Sequence, residues 1–184
     1  MLFRSFEDII DSEVGDTTLT RGRNVEREIG LRQVFFKFDG GNPSGTQKDR
    51  IAFAQAMDAM RRGFDAITAA TCGNYGVAVT LAAGCAGLRC VVYVPRNYRT
   101  RRIGEMADEG EYGTKEYLGG KMMTDLRLNG NESRKAPGDK EVRYPLRGLR
   151  VLVVDDDLGI CYSLKDLLEE EKCEVETEIG RAHV

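Results

Sequence analysis

A single lysine lies in a short polar loop between two hydrophobic stretches, within "NPSGTQKDR" at residues 42–50. A lysine amine attacks a carbonyl carbon when the protein holds it against the bound carbonyl compound. Gly45 permits close backbone approach, and Ser44 and Thr46 supply hydrogen-bonding groups. A helix is expected to begin directly after the loop, and its N-terminus would attract an anionic group. Lys48 is therefore a candidate Schiff-base nucleophile, with a solvated surface lysine as the alternative.

A second loop of similar character is "TCGNYG" at residues 71–76, which follows an apolar strand-like stretch. Its glycines would allow backbone N–H groups to face an anion, and a helix predicted to begin near Val77 would add its dipole. Asn74 offers both a donor and an acceptor. Open α/β sheets bind ligands at such strand ends. The alternative is a plain turn that needs Gly and Asn for its dihedral angles.

Three acids follow the apolar run "LRVLVV" near the C-terminus, in residues 155–157. Carboxylates at the end of a buried strand repel one another unless a hard cation such as Mg²⁺ neutralises them. They can also cap the N-terminus of the helix that follows.

The pattern of apolar and polar residues also predicts the strands and helices that would position these loops. Strands are predicted at "QVFFKFD", "DAITAAT", "RCVVYVP" and "LRVLVV". Helices are predicted at "KDRIAFAQAMDAMRRG", "VAVTLAAGCAG" and "YRTRRIGEMADEG". A further helix, leading into the start of another strand, is predicted at "LGICYSLKDLLEEEKCEVETE". Strands that alternate with helices predict an α/β fold with a mostly parallel sheet.

Composition and charge exclude several classes of protein. The 184 residues are 41% hydrophobic and 31% charged, which is typical of folded domains. A net charge of -3 argues against nucleic-acid binding and favours small-molecule partners. Because no apolar run has the length of a membrane span, and the N-terminus carries acids where a signal peptide has its apolar core, we predict a cytoplasmic protein that does not bind membranes. Five cysteines without a C-x-x-C pair, and one histidine, indicate neither a disulfide framework nor a zinc site.

Three stretches together resemble one enzyme family. "GDTTLTR", "NPSGTQKDR" and "TAATCGNYGVAVTLAAGCAGLRCVVYVP" follow the order and spacing of the N-terminal part of fold-type II pyridoxal-phosphate enzymes, closest to threonine synthase and its relatives. The family pattern around the cofactor lysine is N-P-T-G-S-x-K-D-R. The resemblance covers about residues 3–110 and implies an incomplete three-layer αβα unit of the tryptophan synthase β-like kind.

The resemblance also implies roles for the matching residues. Lys48 would bind pyridoxal 5′-phosphate through a Schiff base and act as acid and base at the substrate Cα, and Asn74 would hydrogen-bond the cofactor 3′ hydroxyl. The pocket for the substrate carboxylate would be lined by Thr71, Cys72, Gly73 and Tyr75. The substrate would be an amino acid that undergoes elimination or replacement at its β or γ carbon. Conversion of phosphohomoserine to threonine is favoured, with cysteine synthase, cysteate synthase and threonine dehydratase chemistry as alternatives.

The chain also departs from the family pattern. Thr18 stands where proline is usual, and Cys72 where serine is common. Nothing after Gly110 resembles the glycine-rich loop that cups the cofactor phosphate, or the group that faces the pyridine nitrogen. We therefore expect residues 1–110 to form a truncated enzyme domain that binds the cofactor weakly or not at all.

The remaining residues carry a second resemblance. Residues 111–146 collect Gly, Asn, Lys and Pro without a sustained period, which predicts a linker or poorly ordered insert. Residues 147–178 resemble the first strand and helix of a response-regulator receiver domain, a partial flavodoxin-like βα unit. That resemblance implies that Asp155 and Asp156 help to hold Mg²⁺, and that a histidine kinase is a partner. The last six residues, 179–184, resemble a translated sequencing adapter.

Three hypotheses follow. The first is a threonine synthase-like segment joined to the start of a receiver, inactive as written. The second is a signalling protein in which a degenerate cofactor-binding half passes a signal to a receiver module. The third is an α/β fragment without activity, which would expose apolar surface because its layers are not covered.

Overall fold

The computed structural model describes residues 5–71, 73–95, 111–118, 121–127 and 148–179. Its helices are α1 (Phe6–Glu13), α2 (Arg23–Ile29), α3 (Lys48–Arg61), α4 (Asn74–Ala86) and α5 (Leu158–Glu170), with a 3-10 turn at Asp39–Gly41. Its strands are β1 (Leu19–Arg21), β2 (Phe35–Lys37), β3 (Ala66–Ala70), β4 (Arg89–Pro95), β5 (Glu111–Leu118), β6 (Lys121–Arg127), β7 (Arg150–Asp155) and β8 (Glu174–Ile179). Within these ranges, no helix is both long and apolar enough to cross a membrane. The helix predicted at residues 98–110 lies outside the described residues, as do residues 180–184.

The larger sheet has six described strands in the order β6-β5-β4-β3-β7-β8. Every pairing in it is parallel except the antiparallel β5–β6 pair. Helix α4 connects β3 to β4, and α5 connects β7 to β8, because parallel neighbours need a crossover rather than a tight turn. The mostly parallel α/β sheet predicted from the alternation of elements is confirmed.

Helices cover both faces of the sheet. Along β7, Leu152 and Val154 pack into one core cluster with residues of α3 and α4, whereas Val151 and Val153 pack into a second cluster with α5. All four side chains are fully buried. A strand covered on both faces must be apolar at successive positions, which explains the unbroken run in its sequence. The described part of the chain is therefore a three-layer αβα arrangement.

The predicted strand at residues 33–39 does not join this sheet. Only Phe35–Lys37 is extended, and it pairs antiparallel with β1 in a separate two-stranded ribbon. None of the residues in β1, α2 or β2 is buried. The prediction identified the strand but placed it wrongly, because local β propensity does not specify which strand is the partner.

The ribbon and α2 expose a group of large apolar side chains, which we call the ribbon patch: Leu19, Val25, Ile29, Leu31, Phe35, Phe36 and Phe38. Exposed large apolar side chains promote association or mark a surface that is covered in a larger assembly. The patch agrees with the exposed apolar surface expected under the third hypothesis.

We expect the double change Leu31→Ser and Phe38→Ser to reduce self-association of the chain. The two side chains are 58% and 67% exposed, so their loss should change the free energy of unfolding by no more than about 0.5 kcal/mol. Sedimentation velocity at matched concentrations measures the effect. Leu158→Ser, on α5 and 47% exposed, is the control. An unchanged sedimentation profile for the double variant would contradict the role of the ribbon patch.

The linker predicted at residues 111–146 is wrong for its first part. Strands β5 and β6 occupy 111–118 and 121–127, and β5 pairs parallel with β4. The register of the hairpin pairs Leu118 with Lys121. The signal was present: Tyr, Thr and Leu surround Gly119-Gly120, a dipeptide typical of two-residue hairpin loops. The overall Gly, Lys and Asp content concealed it. Residues 128–146 lie outside the described ranges, so for them the linker stays a prediction.

The separate receiver unit predicted at residues 147–178 is also not what the structure shows. Strand β7 pairs directly with β3, Ala66 opposite Val151, and α5 packs on the same sheet. A lone strand and helix would bury too little apolar surface to fold alone, whereas insertion beside β3 covers both faces of β7. Ile179, which the sequence assigned to the tail, ends β8 and pairs with Asp155.

Candidate functional site

Lys48 is the first residue of α3 and is half-buried. The loop before it turns at Gly45, whose N–H donates to the Asn42 carbonyl at 2.8 Å and whose φ is +81°. This left-handed conformation is the reason for glycine at that position. Asp49 is fully buried, and its carboxylate accepts the Ser44 N–H at 2.9 Å. The loop is thus tied to the helix at Asp49, the residue after Lys48.

We expect Gly45→Ala to lower the free energy of unfolding by about 1–2 kcal/mol, because a Cβ is disfavoured at positive φ. No described atom lies within 4 Å of the added Cβ, so backbone strain alone is tested. Gly84→Ala, inside α4 and equally uncrowded, should instead raise stability by about 0.5–1 kcal/mol. Urea unfolding followed by circular dichroism measures both. A loss of stability in both variants would contradict the interpretation.

The "GDTTLTR" stretch contacts the Lys48 loop through hydrogen bonds between polar groups. The Arg50 guanidinium donates to Asp39 Oδ1 at 2.8 Å and to Thr17 Oγ1 at 3.3 Å. Asn42 Oδ1 accepts the Gly15 N–H at 2.8 Å. The hydrogen bond from Arg50 holds the pKa of Asp39 below its usual value. Two of the stretches that carried the family resemblance are therefore joined in space, and they brace the base of the loop.

The second loop follows β3 at the carboxyl edge of the sheet. Helix α4 begins at Asn74, earlier than the predicted Val77, with Gly73 as its N-cap in an extended conformation. No side chain of the described residues caps this helix. The Gly76 N–H donates to the Gly73 carbonyl at 3.0 Å, and the dipole of the helix favours an anion at its N-terminus. Cys72 lies outside the described residues.

Both loops line one cavity of about 310 Å³. Its lining residues are Lys48, Ile51, Gln55, Ala70, Thr71, Gly73, Asn74, Tyr75, Asp155 and Asp156. Of the residues predicted from the sequence, Lys48, Thr71, Gly73, Asn74 and Tyr75 are brought together here. Asp155 and Asp156, which the sequence placed in another domain, line the same cavity because β7 ends beside β3 at the carboxyl edge.

Three further lining residues, Ile51, Gln55 and Ala70, were not predicted as site residues, although a signal existed for the first two. Ile51 and Gln55 follow Lys48 at i+3 and i+7, the spacing of one helix face. The Tyr75 hydroxyl donates to Gln55 Oε1, which joins α3 to α4 across the cavity wall. Burial raises the pKa of Tyr75 far above its usual value, so the phenol is neutral at physiological pH.

Two of the three acids at the end of β7 accept hydrogen bonds from nearby backbone N–H groups. Asp157 Oδ1 accepts the Gly159 N–H at 2.7 Å and the Ile160 N–H at 3.3 Å, so Asp157 caps α5. Asp155 Oδ1 accepts the Asp157 N–H at 3.0 Å. Over the described ranges, no three His, Cys, Asp or Glu residues lie together as a metal-binding group. Capping accounts for Asp157, and the Mg²⁺ site at Asp155 and Asp156 stays a prediction.

Comparison with known proteins identifies the family. A family model described as pyridoxal-phosphate dependent enzyme matches residues 10–132. The chain belongs to this family. Tryptophan synthase beta chain 2 of Thermococcus kodakarensis is 32% identical over a match that covers 89% of this chain and 34% of that protein. Threonine synthase of Methanocaldococcus jannaschii is 30% identical, over 55% of this chain and 24% of that protein.

A solved structure agrees with the assignment to the pyridoxal-phosphate family. O-ureido-L-serine synthase superposes with a TM-score of 0.51 at 28% identity, covering 62% of this chain and 36% of that one. The chain thus spans about a third or less of the length of these relatives.

The extent of the matches bears on the predicted domains. The family match includes β5 and β6. The match to the Thermococcus protein covers 89% of the chain, which is too much to end before residue 147. The family model and the relatives named above give no support to the receiver resemblance. A histidine kinase partner therefore rests on the sequence pattern alone.

The residues of the cavity fit pyridoxal phosphate. Lys48 and Asn74 both line the cavity, and they would offer an amine to the cofactor aldehyde and an amide to its phenolic oxygen. The uncapped N-terminus of α4 suits an anion. The volume lies at the lower end of small-molecule sites, roughly 300–1,000 Å³. Chemistry and size agree on this ligand.

Proposed function

We propose that this chain carries the lysine-bearing part of the active site of a pyridoxal-phosphate-dependent enzyme that eliminates or replaces a substituent at the β or γ carbon of an amino acid. The observation that supports it is the convergence of Lys48 and Asn74, which begin two separate helices, on one cavity. A solvated surface lysine, the alternative for Lys48, would have no reason to share a cavity with Asn74.

Different residues of the chain would have different roles in this reaction. Bound pyridoxal phosphate supplies an electron-withdrawing ring that stabilises negative charge at the substrate Cα. Lys48 would hold the cofactor and exchange a proton with Cα, and Asn74 would orient the ring through its 3′ oxygen. The N-terminus of α4 would bind the substrate carboxylate. The Tyr75–Gln55 hydrogen bond would keep this wall of the cavity in place.

Within this reaction class, the "NPSGTQKDR" loop favours threonine synthase-like chemistry, with cysteine synthase-, cysteate synthase- and threonine dehydratase-like reactions as alternatives. Tryptophan synthase and threonine synthase relatives match at nearly equal identity, so the reaction class has more support than the substrate. Because the chain spans a minor part of these relatives, we propose that alone it forms no threonine from phosphohomoserine.

Reductive trapping tests the proposal. The full chain is incubated with pyridoxal phosphate, reduced with borohydride and digested, and the labelled peptides are identified by mass spectrometry. We expect the label to concentrate on the peptide that contains Lys48. A label spread over surface lysines in proportion to their exposure would contradict the proposal.

A further inference from the structure

The side of α3 that lines the cavity carries three side chains of different character. Lys48, Ile51 and Gln55 follow one another at helical spacing, so they form one stripe that runs from the start of the helix. Along the helix axis, the Cα atoms of Lys48 and Gln55 are separated by about 10 Å. The stripe therefore offers a ligand an amine at one end, an apolar side chain in the middle and an amide at the other end.

The amide of Gln55 uses only its oxygen within the protein. Gln55 is 7% exposed, and its Oε1 accepts a hydrogen bond from the Tyr75 hydroxyl of α4. Among the described residues, no acceptor bonds to the amide nitrogen, and this atom is not fully buried. Because Gln55 lines the cavity, the two N–H groups of its amide are open to a ligand there.

Tyr75 determines which end of this amide faces the cavity. Burial raises the pKa of its phenol far above the usual value, so the hydroxyl keeps its proton and acts as a donor. If the Gln55 amide were turned over, its nitrogen would face Tyr75, and the phenol O–H would have no acceptor within the described part of the chain. Leaving a desolvated donor without an acceptor costs free energy, so the amide keeps its oxygen toward Tyr75. A ligand in the cavity therefore meets a hydrogen-bond donor that carries no charge.

A neutral donor at the far end of the stripe fits an acceptor atom on the substrate. In the proposed function, Lys48 exchanges a proton with the substrate Cα and the N-terminus of α4 binds the carboxylate, so a side chain that extends along Ile51 brings its substituent toward Gln55. We propose that Gln55, oriented by Tyr75, is a specificity-determining residue that donates a hydrogen bond to an acceptor atom on the side chain of the bound amino acid. This inference rests on the proposed function and adds a residue that selects among its substrates.

Two pairs of ligands test the proposal: O-methyl-L-serine against L-norvaline, and O-methyl-L-homoserine against L-norleucine. Within each pair an ether oxygen, which accepts a hydrogen bond but cannot donate one, replaces a methylene group of similar size. Dissociation constants are measured by calorimetry on the full chain treated with pyridoxal phosphate. We expect the ether to bind more tightly than its apolar partner in at least one pair. The pair that responds identifies whether a substituent on the β or on the γ carbon reaches Gln55.

In the variant Gln55→Met, the preference for the ether should fall about threefold to tenfold, because methionine has a similar shape and no N–H donor. Tyr75→Phe keeps the donor but frees the amide to turn, so the preference should fall in part. A merely structural role of the Tyr75–Gln55 hydrogen bond would weaken both ligands of a pair equally and leave the preference unchanged.

The matched control is Gln33→Met, the same chemical change at an exposed residue outside the cavity lining, which should alter neither the affinities nor the preference. The inference is overturned if Gln55→Met leaves the preference unchanged in both pairs. It is also overturned if the original chain binds the apolar member of both pairs more tightly.

The two proposals fail in different ways. Absence of reductive label on Lys48 removes the proposed function, and the same titrations on untreated chain then decide whether Gln55 acts as a donor to a ligand in the cavity. If Lys48 is labelled but none of the four ligands binds, the proposed function stands and the inference about Gln55 is overturned.

Discussion

A chain carrying Lys48→Ala should take up at least about tenfold less reducible pyridoxal phosphate than the original chain, because the amine that bonds the aldehyde is lost. Lys48 is the cation among the described residues lining the cavity, so no neighbouring side chain there can replace it. Bound cofactor is measured by absorbance and by the mass of the reduced protein. The effect should exceed that of any other single lysine.

The matched control is Lys165→Ala, on α5, which removes a lysine that forms an i,i+4 ion pair with Glu169. Its cofactor uptake should equal that of the original chain, because adventitious labelling of one surface lysine is a minor fraction of the total label. Circular dichroism checks that both variants keep the fold. Equal losses in the two variants, or none in Lys48→Ala, would mean that the cavity does not select the cofactor.

Replacing Leu152 by alanine should lower the free energy of unfolding of the whole described sheet by about 2–5 kcal/mol. Leu152 is fully buried in β7 and belongs to the same core cluster as Phe53 of α3 and Val79 of α4. If β7 belongs to the sheet, the cavity left by the smaller side chain destabilises the residues around Lys48 as well. Hydrogen exchange of the β3 amides, read with denaturant unfolding, reports this coupling.

Leu158→Ala provides the same chemical change at a position that is 47% exposed, and should cost no more than about 0.5 kcal/mol. Two separate unfolding transitions, with β3 unaffected by Leu152→Ala, would show instead that residues 147–178 fold apart from the rest. That result would restore the two-unit organisation predicted from the sequence, and it would take Asp155 and Asp156 out of the Lys48 cavity.

Elements with strong local patterns were predicted well. The helical spacing after Lys48 corresponds to α3, and the apolar runs correspond to β3, β4 and β7 within a residue or two. Weaker elements were missed: β5 and β6 lie in a polar stretch, and their existence depends on pairing with β4. The Gly119-Gly120 dipeptide was a local signal, but the composition of a strand held mainly by its neighbour is a weak one.

The residues of the site also fall into two groups, those that local patterns predicted and those whose place depends on the tertiary structure. Lys48, Thr71, Gly73, Asn74 and Tyr75 were found because loop, strand end and helix start are local features of the chain. Gln55 could have been found from its helical spacing to Lys48. The place of Asp155 could not, because it depends on the pairing of β7 with β3 across about eighty residues.

The sequence by itself determined the alternation of strands and helices, the polar loop that presents Lys48 and the glycine-rich start of α4, since dihedral preferences and hydrophobic period act over a few residues. Only the tertiary structure decided that β7 lies beside β3 and that its acids enter the cavity. Strand order follows from which apolar faces can be covered together, and that is a property of the whole core rather than of any segment.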